Sequence, residues 1–227
     1  MNSIEDYYER LAESYDDDRF GHSYGRYIDQ MEGAILQSWL AQVSPSDVVD
    51  LGCGTGRLLD FAMTGVDSSA AMLKVAGRKH PDRHLIQAGL PSLELLASQS
   101  FQAAICFHVL MHLQPEVIEQ SLSALARIIK PGGMLIFDLP SQQRRNLNRR
   151  PPSATGWHGN TAATLEDVQR WAGSQWRVLQ WRGILFFPIH RLPVFARPWF
   201  KSLDGWIGRS PLRRYASYHL YQLERCA

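Results

Sequence analysis

The stretch from Val48 to Leu59, VVDLGCGTGRLL, constrains what this chain can fold into more than any other part of the sequence. A β-branched run leads to Asp50, then Gly52, Gly54 and Gly56 alternate with other residues, and an apolar segment follows. This pattern predicts a strand, a tight turn and the start of a helix. Because glycine has no Cβ atom, it adopts positive φ and lets backbone N–H groups approach a ligand closely. We therefore expect the turn to contact a cofactor.

The residues around the turn argue against two common ligands of glycine-rich loops. Arg57 stands where the dinucleotide pattern G-x-G-x-x-G requires a small residue, and the Gly-Lys-Ser/Thr ending of phosphate-binding loops is absent. A carboxylate at Asp50 suits a cationic ammonium group better than a pyrophosphate. The pattern from Asp50 to Gly56 resembles motif I of the class I S-adenosylmethionine-dependent methyltransferases. The alternative is a glycine-rich turn that binds no ligand.

A second motif and the order of the elements predict the fold. The sequence Lys-Pro-Gly-Gly at 130–133, ahead of an apolar strand at 134–139, resembles the same family. Alternating strands and helices predict an α/β, doubly wound sheet. The resemblance implies the Rossmann-like methyltransferase fold, with seven mostly parallel strands and an antiparallel last strand at 216–225. We predict one domain over 1–227, with an N-terminal helical cap at 1–45, a cofactor-binding core at 46–140, and an acceptor-side half at 141–227 that carries an insertion at 188–215 before the last strand.

The remaining elements are predicted from periodicity and capping signals. The acidic run at 16–18 is expected to end the first helix. Ser68 or Ser69 is expected to be the N-cap of the helix that follows the second strand. The predicted elements are helices at 3–16, 26–43, 57–64, 115–129 and from Thr164, and strands at 65–67, 84–87, 101–107 and 176–187.

The resemblance implies that the cofactor is S-adenosylmethionine and that the product is S-adenosylhomocysteine. Asp67 ends the second predicted strand, where an acidic side chain can accept hydrogen bonds from both ribose hydroxyls. Tyr15 precedes an aspartate, and in the family the tyrosine of such a pair reaches the methionine end of the cofactor. Arg26 could bind the cofactor's carboxylate bidentately. The alternatives are a core-edge aromatic for Tyr15 and a solvent-facing side chain for Arg26.

The adenine contact departs from the family pattern, because the acidic residue expected after the third strand is missing. Either the Gln87 amide or backbone groups near Ala88 and Gly89 are expected to bind the adenine instead. The cofactor-binding residues predicted in this way are Tyr15, Arg26, Asp50, Gly52, Cys53, Gly54, Asp67, Ser68, Met72, Gln87, Ala88, Gly89 and Phe107.

His108 is the predicted catalytic residue. It follows the fourth strand, where residues of the family line both cofactor and substrate, and imidazole titrates near neutral pH, as a general base requires. His112 is four residues further on, but Val109 and the lack of a third ligand argue against a metal site. We predict no metal, and a structural role for His112.

Charge is distributed unevenly along the chain. Residues 1–126 carry 8 basic and 17 acidic side chains, whereas residues 127–227 carry 16 basic and 5 acidic ones. The positive second half could attract an anionic substrate, a lipid surface or nucleic acid. The three cysteines have no metal-type spacing, and no apolar run approaches the roughly 18 residues of a membrane span. These features predict a cytoplasmic protein without a transmembrane segment, and they leave peripheral membrane contact open.

Three functions are compatible with the sequence. We favour a methyltransferase that acts on an oxygen or nitrogen atom of a small, hydrophobic or anionic acceptor, in a pocket formed by segments 144–158 and 188–215. Nucleic acid is disfavoured because Cys-Phe-His-Val at 106–109 replaces the Asp/Asn-Pro-Pro-Tyr/Phe sequence of related enzymes that methylate base amines. The alternatives are an enzyme acting on RNA or a lipid at a surface, and a non-catalytic S-adenosylmethionine-binding module. The sequence does not predict an oligomeric state.

Overall fold

Seven strands form a single sheet, as predicted. The computed structural model describes residues 4–148, 159–189, 192 and 197–227. The strands are β1 (Val48–Leu51), β2 (Thr64–Asp67), β3 (His84–Gln87), β4 (Phe101–Cys106), β5 (Ile129–Pro140), β6 (Trp176–Ile184) and β7 (Tyr218–Arg225). Their order in the sheet is β3-β2-β1-β4-β5-β7-β6. The first five are parallel, whereas β7 runs antiparallel between β5 and β6, which confirms the doubly wound fold with an inserted last strand.

Helices cover both faces of the sheet. Apolar residues of the fifth and seventh helices pack with one set of buried strand residues, and those of the third helix pack with the other set. The buried strands need apolar side chains on both sides, and Val48 and Val49, consecutive residues of one strand, belong to opposite core clusters. The helices are α1 (Ile4–Leu11), α2 (Tyr15–Phe20), α3 (Ser23–Trp39), α4 (Ala70–Lys79), α5 (Pro115–Ile128), α6 (Gln142–Asn148), α7 (Leu165–Ala172) and α8 (Arg197–Ile207).

The N-terminal cap differs from the prediction. The single helix expected at 3–16 is two helices, and the acidic run at 16–18 lies in the first turn of α2 instead of ending a helix. Carboxylates are stabilised at that end because the helix dipole is positive there. The next helix, α3, begins three residues earlier than predicted, where the His22 side chain accepts a hydrogen bond from the N–H of Gly25, and it ends at Trp39.

The short helix predicted at 57–64 is absent from this described stretch. Residues 54–60 form consecutive turns instead. Gly56 has φ +87°, outside the helical region, and the Arg57 side chain is drawn into ion pairs with Asp29 and Glu32 of α3. The connection to β2 therefore remains irregular.

Other predicted elements agree with the structure to within a few residues. The bounds of β3 are those predicted, Ser69 rather than Ser68 caps α4, and Thr164 forms a capping box at the start of α7. The Lys-Pro-Gly-Gly segment is an irregularity within β5 rather than a turn before it, because the register with β4 shifts there and Gly132 has φ +74°. Strand β6 ends at Ile184, and Leu185 after it has φ +59°.

The acceptor-side segments are described only in part. Residues 149–158, 190–191 and 193–196 lie outside the described residues, and with them much of the predicted 144–158 loop and part of the 188–215 insertion. The described remainder contains α6, α8 and a 3-10 helix at Pro211–Tyr215. Across the described ranges, every helix is too short or too polar to traverse a bilayer.

Candidate functional site

A cavity of about 220 Å³ lies at the carboxyl ends of four parallel strands. Segments that follow β1, β2, β3 and β4 line it, together with aromatic residues of the N-terminal helices. Ligands bind at this edge of doubly wound sheets, where the strand order reverses. The sequence-predicted residues that line the cavity are Tyr15, Asp50, Gly52, Cys53, Gly54, Asp67, Ser68, Met72, Ala88, Gly89, Phe107 and His108.

The carboxylate of Asp67 joins the glycine loop, residues 52–56, to the start of α4. Its Oδ2 accepts a hydrogen bond of 2.7 Å from the N–H of Gly54, and its Oδ1 accepts one of 2.9 Å from the N–H of Ser69. Each carboxylate oxygen accepts more than one hydrogen bond, so Asp67 retains acceptor capacity towards the cavity. Burial raises its pKa, although the two backbone N–H groups oppose that shift.

The glycine loop needs glycine at the position that follows β1. Gly52 has φ +70°, and a Cβ atom there would lie 2.2 Å from Cγ2 of Val109. Gly54 has φ +54°, and a Cβ atom there would meet nothing within 4 Å in the structure. At position 52, steric crowding excludes any residue with a Cβ atom. At position 54, the backbone conformation alone favours glycine.

Burial raises the pKa of three side chains in the loop region and at the end of β4. Asp50 is 2% exposed, and burial raises its pKa to about 7. A cationic ligand in the cavity would favour its ionised form. The thiol of Cys53 is also buried, and burial raises its pKa well above the usual range, so it remains protonated. A second thiol, Cys106, is buried at the end of β4 with its pKa raised by burial.

An aromatic wall formed by Tyr8, Tyr15 and Phe20 closes one side of the cavity. The ring centroids of Tyr8 and Tyr15 lie 6.0 Å apart, and those of Tyr15 and Phe20 lie 6.2 Å apart. The Tyr8 hydroxyl lies 3.2 Å from Nε2 of His112, which also lines the cavity. The sequence analysis did not select Tyr8. Because Tyr8 and Tyr15 lie on two separate helices, helical spacing in the sequence could not show that they meet.

Two predicted cofactor residues do not line this cavity. Arg26 donates a hydrogen bond to the carbonyl of Gly21 and lies at a separate cavity between α3 and α8. Gln87 is exposed, and its amide donates to the carbonyl of Ser68. The backbone around Ala88 and Gly89 does line the cavity.

Beside the cavity lies an ion cluster formed by Glu32, Arg57, His108 and Asp138, of which Arg57 and His108 line the cavity. His108 Nε2 is 2.9 Å from Glu32 Oε1, and His108 Nδ1 is 3.2 Å from Asp138 Oδ2. The backbone N–H of His108 donates a 2.6 Å hydrogen bond to Asp138 Oδ1. Arg57 pairs with Glu32 at 2.8 Å. Glu32 and Asp138 are 0% and 1% exposed, so both anions are out of contact with water, whereas the Arg57 and His108 side chains are 14% and 24% exposed.

The two carboxylates determine the protonation state of His108. Burial alone would lower its pKa, but Glu32 and Asp138 outweigh burial and raise it to about 9. His108 and Arg57 likewise lower the pKa of Glu32 against the effect of burial. The imidazole is therefore charged at neutral pH, which balances the cluster electrically.

The same three side chains, Glu32, His108 and Asp138, offer potential metal-ligand atoms that all lie within 4.8 Å of one another. Each imidazole nitrogen already faces one carboxylate, and Arg57 already pairs with Glu32. A divalent ion would have to displace the imidazole proton and would add charge to a balanced cluster. The arrangement therefore suits a proton better than a metal.

The sequence analysis missed the two carboxylates of the ion cluster. Both had a signal, since Glu32 lies on the apolar face of a helix, between Ile28 and Ile35, and Asp138 interrupts the apolar strand MLIFDL. An acidic residue in such a position is buried only when it is paired. The partners themselves could not be named from the sequence.

Comparisons with known proteins bear on this site. Residues 49–137 match the family model described as a methyltransferase domain. The chain is 35% identical over 115 residues to the ubiquinone biosynthesis O-methyltransferase of Paracidovorax citrulli, across 43% of this chain and 45% of that protein. It is 26% identical over 142 residues to the malonyl-[acyl-carrier protein] O-methyltransferase of Pectobacterium atrosepticum, across 56% and 55%. The chain thus spans about half the length of these relatives.

A solved structure extends the likeness to nearly the whole fold. Magnesium protoporphyrin IX methyltransferase from Synechocystis PCC 6803, with bound SAM, superposes with a TM-score of 0.64. The match covers 98% of this chain and 95% of that one at 16% identity, so it concerns the fold alone. The matched segment 49–137 and the seven-stranded sheet support the resemblance to the class I S-adenosylmethionine-dependent methyltransferases.

Proposed function

We propose that the chain binds S-adenosylmethionine and transfers its methyl group to an oxygen or nitrogen atom of a small-molecule acceptor. The observation that carries this proposal is the cavity in which Asp50, the glycine loop and Asp67 meet at the carboxyl edge of the sheet. Two carboxylates beside an apolar wall suit a ligand that combines cationic groups, hydroxyls and a flat ring. The residues present therefore fit this cofactor.

The roles of individual residues follow from their chemistry. Asp67 would accept the ribose hydroxyls, Asp50 would face the cationic end, and Met72 with the backbone at 88–89 would border the adenine. The cofactor supplies a methyl group already activated on a sulfonium, so the chain mainly has to orient the reactants and exclude water. The aromatic wall of Tyr8, Tyr15 and Phe20 serves the second task.

His108 remains the proposed general base for a hydroxyl acceptor, which would have to take the place of one of the two carboxylates that face the ring nitrogens. Its charged form cannot accept a proton, and with a pKa of about 9 only about one molecule in a hundred is neutral at pH 7. Turnover that depends on this base should therefore rise about tenfold per pH unit between pH 6 and 8. A flat profile would instead leave His108 as a fixed positive charge at the cavity.

An oxygen acceptor has the better support. Both relatives described above are named O-methyltransferases, and a hydroxyl acceptor would use a base such as His108. The predicted acceptor pocket, 144–158 with 188–215, is proposed on the basis of the sequence. Ser141 and Arg144 of the described part connect this side to the 3-10 helix, since Ser141 Oγ donates to the Arg214 carbonyl and Arg144 Nη1 donates to the Tyr215 carbonyl.

The cofactor proposal is tested by calorimetric titration of ligand-free protein with S-adenosylmethionine, beside Asp67→Ala and Asp60→Ala. Asp60 is an exposed carboxylate at the end of the same turn region, so it is the matched control. We expect Asp67→Ala to weaken binding at least tenfold, about 1.4 kcal/mol, and Asp60→Ala to leave it unchanged. Urea unfolding of each variant confirms that the fold is retained.

Turnover is then tested with a methyl-labelled cofactor and a panel of phenolic, carboxylic and amine acceptors. Transfer to a hydroxyl that is lost in His108→Gln while cofactor binding persists would support the base. Cofactor binding without transfer to any acceptor would favour a non-catalytic binding module. Folded wild-type protein that binds neither S-adenosylmethionine nor S-adenosylhomocysteine would contradict the proposal.

A further inference from the structure

The outer side of α8 exposes large apolar side chains. Trp199 is 81% exposed, Trp206 is 67% exposed and Leu203 is 42% exposed. Residues spaced by four and three lie on one side of a helix, so these three form a continuous apolar surface, here called the tryptophan face. Single exposed leucines are common in folded proteins, but two exposed tryptophans on one helix face, with an exposed leucine between them, indicate a binding surface.

The inner side of α8 is anchored, and this anchoring determines which way the tryptophan face points. The ring of Phe200 packs edge-on against Phe187, with centroids 5.1 Å apart. The Asp204 carboxylate accepts hydrogen bonds from the N–H groups of Leu185, at 3.1 Å, and Phe187, at 3.0 Å. Ile207 is buried. Turning the tryptophans inward would break these contacts and leave the Asp204 carboxylate without its donors.

Charge near the tryptophan face is of one sign. Between residues 197 and 214 there are five basic residues and one acidic residue. The acidic residue is Asp204, which is 1% exposed and bonded to backbone N–H groups. Arg209 and Arg214, which follow the helix, are exposed. Every exposed charge in this segment is therefore positive.

We propose that the tryptophan face of α8 docks on the surface of an anionic lipid bilayer. A short amphipathic helix with tryptophan and leucine on one side and basic residues around it lies in the interface between headgroups and acyl chains. Tryptophan prefers that depth because its ring is apolar and its N–H is polar, and each nearby cation adds about 1 kcal/mol of attraction to anionic headgroups. A protein partner would instead need acidic side chains opposite Arg209 and Arg214.

This inference does not rest on methyl transfer, because it uses none of the residues that line the cofactor cavity. The contacts of α8 do extend, through α3, to the ion cluster beside the cavity. The Tyr27 hydroxyl of α3 lies 3.4 Å from Asp204, and the same α3 carries Glu32 of the ion cluster.

The test is co-sedimentation of the full chain with vesicles of phosphatidylcholine alone and of phosphatidylcholine with phosphatidylglycerol. We expect binding to the anionic vesicles that falls by about tenfold or more in Trp199→Ser/Trp206→Ser and with added salt. Leu95→Ser is the matched control, since Leu95 is 72% exposed on another part of the surface, and it should bind as the wild type does. Brominated lipids should quench tryptophan fluorescence of the wild type, and the double variant should lose that quenching.

Three outcomes would overturn the proposal. One is no binding to anionic vesicles by folded wild-type protein. Another is equal binding by the wild type and the double variant, which would move the contact to a different surface. The last is a wild-type dimer in sedimentation velocity that the double substitution converts to a monomer without any vesicle binding, because the tryptophan face would then join two copies of the chain.

Discussion

The glycine loop and the ion cluster border the same cavity but maintain it by different physical means. The loop is irregular backbone held by the Asp67 carboxylate, and its residues are near neighbours in the sequence. The ion cluster holds four charged side chains from α3, the glycine-loop region, the end of β4 and β5. Charge balance supports the cluster, whereas conformational freedom of glycine supports the loop. Changes in the loop should therefore mainly affect ligand binding, and changes in the cluster should mainly affect stability.

The largest effect is expected from removing one anion of the ion cluster. Glu32→Gln keeps the size of the side chain but leaves Asp138 as the one buried anion beside the cations Arg57 and His108. Breaking a buried charge pair in this way costs about 3–5 kcal/mol. Equilibrium urea unfolding measures the free energy of unfolding directly.

Asp29→Asn is the control for this prediction. Asp29 pairs with the same Arg57 at 2.9 Å but is 47% exposed, so its loss should cost less than about 1 kcal/mol. Equal losses in the free energy of unfolding for the two substitutions would mean that burial does not make the Glu32 pair more stabilising than the exposed Asp29 pair.

The pH dependence of stability should identify His108 as the charged partner. Its pKa is raised to about 9 in the folded protein, against about 6.5 in the unfolded chain. The protonated ring therefore contributes about 3 kcal/mol that is complete below pH 6.5 and is lost as pH rises through 9. Urea unfolding at pH 6, 7.5 and 9.5 should show this loss in the wild type and not in His108→Gln. Parallel curves for the two proteins would contradict the assignment.

A smaller effect is expected on the loop side, and it should appear in binding. Asp50 has a pKa raised to about 7, and only its ionised form attracts a cationic ligand. The dissociation constant for S-adenosylmethionine should therefore rise about tenfold from pH 7.5 to pH 6, a range in which an α-ammonium stays charged. Calorimetry of Asp50→Asn should show weaker binding that no longer changes with pH. A wild-type constant that is flat over this range would remove Asp50 from the contact.

The fold was predictable wherever the sequence pattern is local. The bounds of β3 and the cap of α7 came directly from the sequence, because a short apolar run and a Thr-x-x-Asp start need no distant partner. The prediction of a helix at 57–64 was wrong for the opposite reason. Contacts of Arg57 with α3, more than 20 residues away, and the positive φ of Gly56 override the local apolar pattern.

The site residues were likewise predictable only where the sequence pattern is local. Asp50 and Gly52 were selected from a contiguous motif and Asp67 from the end of the next predicted strand, and the structure brings the three to one cavity. Glu32 and Asp138 are separated by more than 100 residues, and their meeting at His108 depends on how α3 packs against the sheet. Hydrophobic periodicity shows that such a carboxylate is buried, but it does not show which cation pairs with it.

The burial of two thiols has a practical consequence for labelling. Cys53 and Cys106 lie inside the fold with raised pKa values, so both are protonated and unreactive towards alkylating reagents. Cys226, just beyond the end of β7, is the remaining cysteine and is partly accessible. The native chain should therefore accept a single maleimide dye at a position away from the cavity. That dye would allow single-molecule observation of the unmutated protein on supported bilayers.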